Sequence, residues 1–166
     1  MNSILNIRAT LLVSLFILMS ITAQSQDIRF IILEYSTAVK PVNASVKVTI
    51  KPNTNNTYNL KVESVSLQQV DPAKSIDKEI TITERQFNYI VNAIQGIKQT
   101  EIIGGPHPSL LDGEACSISY GSLGTAVSFH VNTPKYDSDK RKLNGFLRAY
   151  ELILRTAELD PNKILG

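Results

Sequence analysis

Two stretches of strict alternation, ASVKVTI (44–50) and TYNLKV (57–62), flank KPNTNN and constrain this chain more than any other feature. In an extended segment Val46, Val48 and Ile50 share one face while Ser45, Lys47 and Thr49 share the other, and Tyr58, Leu60 and Val62 repeat the pattern. Proline fixes φ and asparagine tolerates left-handed backbone, so KPNTNN reads as a turn and 44–65 as a hairpin. Pairing Ile50 with Tyr58, Val48 with Leu60 and Val46 with Val62 gathers every apolar side chain on one face. A slip of one residue would bury Lys47 and Lys61 instead.

The rest of the chain supplies more strands and a partner layer. IRFIILEYSTA (28–38) is β-branched and aromatic and runs up to Pro41, a first strand; KEITIT (78–83) is another. Thr83 begins a helix, because Gln86 three residues on completes a capping box. Phe87, Ile90, Val91, Ile94 and Ile97 then recur at helical spacing as a buried stripe. GGPHPSLLDGE (104–114) is a loop. CSISY and TAVSFHV flank GSLG as a second hairpin, expected to pair Tyr120 with Thr125, Ile118 with Val127 and Cys116 with Phe129. A second helix is expected from about Ser138 to Leu159, stopping before Pro161. Its stripe is Leu143, Phe146, Leu147, Tyr150, Leu154 and Ala157, and the row Arg148, Glu151, Arg155, Glu158 reads as a solvated face with weak ion pairs. This order of elements predicts an α+β fold: an antiparallel sheet of five or six strands built from hairpins, with two amphipathic helices on one face.

The first residues carry an address. Arg8, an apolar run from Ala9 to Met19 and the small residues of Ala23-Gln24-Ser25 are laid out as a secretory signal peptide, residues 1–25, with cleavage before Gln26. The strictly apolar core is too short to span a bilayer, which needs about 20 apolar residues. No cysteine stands at the end of the segment to carry a lipid, so a freely soluble product without stable membrane insertion is expected. Removing it takes Lys plus Arg from 17 to 16 against 15 Asp plus Glu. A balance so close to neutral does not point to nucleic acid or an anionic membrane as partner. Residues 26–166 fit one globular domain with an ordinary core. With a single cysteine no internal disulfide is possible, which suits a bacterial periplasm or secreted fraction better than a disulfide-stapled extracellular module. Sequons at Asn43 and Asn55 would matter only in a eukaryotic pathway.

Chemistry-bearing residues are few. Cys116 and His130 could form a nucleophile and base, but the hairpin register that buries Ile118, Val127 and Phe129 turns Cys116 inward and His130 outward. Two histidines and one cysteine, without metal-ligand spacing, point to no metal. No phosphate-binding loop is present, and no cofactor is expected. Asp112 and Glu114 beside a glycine-rich loop could serve a hydrolase as acid and base with His107 or His130; the plainer reading is an Asp-Gly turn with Glu114 on the solvent side. Tyr136, in a loop of mixed charge with Lys135, Lys140, Arg141 and Lys142, is the best exposed aromatic.

Binding fits this inventory better than catalysis. The expectation is a small exported protein that engages another protein in the envelope or outside the cell, as an immunity protein or inhibitor does. Its contact surface would be the loop 104–114, the turn 121–124 and the helix entry 133–140, with His107, Ser109, Ser122, Lys135 and Tyr136 as contact residues. Two other readings stand beside it: a small periplasmic hydrolase using Asp112 and Glu114, and a subunit of an envelope assembly, which would show as an exposed apolar patch or an open sheet edge at 28–38.

Overall fold

The computed structural model describes residues 28–40, 42–66, 75–99, 102 and 113–165. The leader and most of the loop 104–114, with His107, Ser109 and Asp112, lie outside the described residues. The chain forms β1 (Phe30–Ser36), β2 (Ser45–Pro52), β3 (Thr57–Val65), β4 (Asp77–Thr83), α1 (Glu84–Gln95), β5 (Ala115–Gly121), β6 (Ala126–Asn132), α2 (Asn144–Thr156) and α3 (Pro161–Leu165). The six strands make one antiparallel sheet in the order β4-β3-β2-β1-β5-β6. The fold is therefore α+β, as the order of patterns predicts.

Alternation decides which side of the sheet is buried. Ile31, Leu33 and Tyr35 of β1, Val46, Val48 and Ile50 of β2, Leu60 and Val62 of β3, and Cys116 and Ile118 of β5 are buried on one face. They join Phe87, Ile90 and Ile94 of α1 and Phe146, Tyr150, Ile153 and Leu154 of α2 in a single apolar cluster. Each of these side chains contributes roughly 1.5–3 kcal/mol through burial. Tyr58 stacks on Phe87 with ring centroids 3.8 Å apart, tying β3 to α1. The Tyr150 hydroxyl donates to the Glu34 carbonyl at 3.1 Å, tying α2 to β1. Of the opposite parity, Glu34, Lys47, Glu79, Ser128 and His130 are exposed, whereas Ser117 is buried and Thr49, Lys61 and Ser119 are half-buried.

Both hairpins keep the expected faces but shift their pairing by two residues. Ile50 pairs with Leu60 and Val48 with Val62, while Tyr58 meets Pro52. Asn55 and Asn56, at φ 63 and 53, tighten the turn so that Pro52 still lies in the ladder. In the second hairpin Tyr120 pairs with Val127, Ile118 with Phe129 and Cys116 with Val131. Gly121 belongs to the strand there, since a Cβ on it would lie 2.1 Å from the Thr125 carbonyl oxygen.

Two further expectations are corrected. The first strand is central, bonded to β2 on one side and β5 on the other, so the sheet edges are β4 and β6 and not residues 28–38. The second helix begins at Asn144 instead of Ser138, because Asp137 and Lys142 adopt φ of 48 and 54, which no helix continues through. Pro161 does not merely stop a helix: it opens α3, where its missing N–H is no loss. The first helix is as expected, with the Thr83 side chain accepting from the Gln86 amide and the Gln86 side chain returning to the Thr83 amide.

Candidate functional site

Cys116 and His130 lie on opposite sides of the sheet. Cys116 is buried among core residues. Burial pushes its thiol up to about 12, so it holds its proton at neutral pH. His130 is exposed and stands opposite Ser117 on the outward face.

Glu114 is not on the solvent side. Its Oε1 accepts from the Tyr35 hydroxyl at 2.9 Å and from Lys40 Nζ at 3.0 Å, and its side chain is 15% exposed. Lys40 Nζ also donates to the Ile164 carbonyl at 2.7 Å and lies 5.5 Å from the centre of the Tyr35 ring. The carboxylate therefore joins the exit of β1 to the entry of β5, and Lys40 extends the link to α3. Burial, followed by the bond to Glu114, raises the Tyr35 phenol well above its usual range. Because Tyr35 is a core-face residue, Glu114 and His130 do not converge. Lys40 and Tyr35 were not legible as its partners: they lie 74 and 79 residues away, brought together by strand order alone.

The expected contact segments separate into two ends. Ser122, whose amide donates to the Thr125 carbonyl at 2.8 Å, sits at the tip of the β5–β6 hairpin. Glu114 sits at the other end, where the Thr133 amide donates to its carbonyl at 2.6 Å. The seven residues of β6 between them span about 23 Å. Lys135 and Tyr136 are exposed at the Glu114 end, in a turn that Arg141 holds. Arg141 is 4% exposed and donates to the carbonyls of Asn132, Thr133 and Tyr136 at 2.8, 2.7 and 3.1 Å. Burial lowers its pKa, opposed by Asp137. Thr133 takes φ 43, a costly conformation for a β-branched residue, inside this turn.

The outward face adjoins the same end. Across it runs a row of cross-strand neighbours, His130, Ser117, Glu34, Lys47, Glu63 and Asp77. Lys47 pairs with Glu34 at 3.0 Å, and Lys61 with Glu63 at 2.7 Å and with Asp77 at 3.9 Å. Where the row meets β6, Glu34, Ser36, Lys47, Ser117, His130 and Asn132 line a cavity of about 410 Å³. Carboxylate, ammonium, hydroxyl, imidazole and amide groups are thus presented together, a set that suits hydrogen bonding to a polar surface. Among the described residues no three His, Cys, Asp or Glu side chains are grouped to hold a metal ion, and no helix is long and apolar enough to cross a membrane. Alternation could have found this row, since each member is the polar half of a strand; its order across the sheet needed the pairing.

No family model matches the chain, and comparison with curated proteins finds no match.

Proposed function

We propose that this is a small exported bacterial protein that works as a non-catalytic protein-binding module in the envelope or outside the cell, in the manner of an immunity protein or inhibitor. Its recognition surface is the outward sheet face together with the turn 133–140. The observation that carries the reading is the row of charged and polar side chains, Asp77, Glu63, Lys47, Glu34 and Ser117, that runs across the outward face of the described sheet to the cavity beside His130. Complementary charges give a partner register and on-rate, and a rigid sheet presents them at little ordering cost. Of the described groups that acid–base or thiol chemistry would use, Glu114 is bonded to Tyr35 and Lys40, and Cys116 is a core residue. The signal-like leader and the near-neutral balance of charge support export and a protein partner.

Affinity capture with residues 26–166 from envelope and culture fractions of the host, read by mass spectrometry, tests this. One stoichiometric protein partner is the expected result. Nothing above background, together with a hydrolytic activity abolished by Asp112→Ala, would replace this reading by the hydrolase.

A further inference from the structure

The two edges of the sheet are finished differently. β4 begins Asp77-Lys78-Glu79, and charge on an edge strand discourages pairing with another chain. β6, AVSFHVN, carries no formal charge, no proline and no lysine. Its backbone pattern is fixed by its ends: the Ser122 amide bonds the Thr125 carbonyl and the Thr133 amide bonds the Glu114 carbonyl. Residues of odd number in β6 therefore bond to β5, and Ala126, Ser128, His130 and Asn132 turn their amides and carbonyls away from the sheet. The Asn132 carbonyl is met by Arg141, which closes that end of the edge. Ala126, Ser128 and His130 are exposed.

Of the six large apolar side chains exposed among the described residues, three lie along this edge and at its two ends, while Val39, Val65 and Tyr89 lie elsewhere. Val127 is 41% exposed, Leu123 at the hairpin tip is fully exposed and Tyr136 beyond the far end is 52% exposed. A strand lying antiparallel to β6 and centred on Ser128 explains all three if that strand is β6 itself. Ser128 then meets its own mate, the small Ala126 meets His130, and Val127 meets Phe129, so the apolar pair stays on the core face and no charge is opposed to its like. Leu123 of each copy falls beside Thr133 of the other, next to the turn that carries Tyr136. A two-fold contact uses each of these residues twice.

We propose that β6 pairs with β6 of a second copy of this chain, antiparallel about Ser128, joining two six-stranded sheets into one. The pairing satisfies the outward groups of Ala126, Ser128 and His130 with about six inter-strand hydrogen bonds.

Sedimentation equilibrium of residues 26–166 over a wide range of concentration tests it, with Ser128→Lys and Ser128→Glu as variants. Ser128 is exposed, so neither change disturbs the core, and circular dichroism checks that each is folded. The wild-type chain is expected to be dimeric at the upper concentrations. Like charges meeting on the two-fold axis raise the dissociation constant on the order of 100-fold in either variant. A mixture of the two variants, Lys opposite Glu, restores the dimer. A wild-type chain that stays monomeric throughout overturns the proposal, as does a dimer indifferent to both variants. A monomeric chain that still captures a different protein, lost on Ser128→Lys, shows the edge to be used by that partner instead and leaves the binding function standing.

Discussion

Cys116 shows how one residue's environment decides its chemistry. Its thiol is buried and keeps its proton up to about 12, where an unfolded cysteine would release it near 9.0. The folded state thus binds this proton more tightly, so its contribution to stability is complete below about 9 and is lost as pH rises toward 12. Tyr35 and Tyr150, both raised chiefly by burial, add to the loss in the same direction. Urea midpoints measured from about pH 8 to about pH 11 should fall steadily, and less steeply for Cys116→Ala. A flat profile would contradict this burial. The same thiol should resist iodoacetamide in the native protein and react on unfolding. At Glu114 the prediction concerns stability instead: Glu114→Ala removes the carboxylate acceptor of the Tyr35 hydroxyl and one of the two acceptors of Lys40, and should lower the unfolding free energy by about 2 kcal/mol. An unchanged urea midpoint would mean that the carboxylate ties nothing together.

At the scale of elements, the lesson is the difference between parity and register. Alternation in 44–50 and 57–62 determines which side chains face inward, because a slip of one residue exposes the apolar set. A slip of two leaves every face intact, so local pattern cannot choose between Ile50 opposite Tyr58 and Ile50 opposite Leu60. The choice falls to turn geometry, to Asn55 and Asn56 in left-handed backbone and to Gly121 crowded against Thr125. Gly121→Ala should therefore destabilise the β5–β6 hairpin by about 1–3 kcal/mol, seen as a lower thermal midpoint. Capping was fully legible at Thr83, since donor and acceptor are three residues apart. The structural use of Arg141 was not, because a charged residue among Lys135, Lys140 and Lys142 carries no local mark of burial. Arg141→Met strips three carbonyls of their donor and should cost about 3 kcal/mol in urea unfolding, whereas Lys140→Met, at an exposed ion pair, should change little.

On the scale of the whole molecule, strand order turns scattered residues into surfaces. Nothing in the sequence places Asp77 in one row with His130, or Lys40 against Glu114; the order β4-β3-β2-β1-β5-β6 does both. It also divides the expected contact residues, leaving Lys135 and Tyr136 beside the outward face and Ser122 at the far tip. The outward face and the helix side of the molecule then make competing claims as recognition surfaces, and they differ in chemistry. Lys47 lies in the charged row, while Arg148 lies on α2 beside the Glu151–Arg155 ion pair. Capture from host envelope and culture fractions with three baits, the wild-type chain, Lys47→Glu and Arg148→Glu, compares the two directly. One partner is expected, held by the wild-type and Arg148→Glu chains and lost, at least ~10-fold, from Lys47→Glu. A partner held by Lys47→Glu and lost from Arg148→Glu would contradict it.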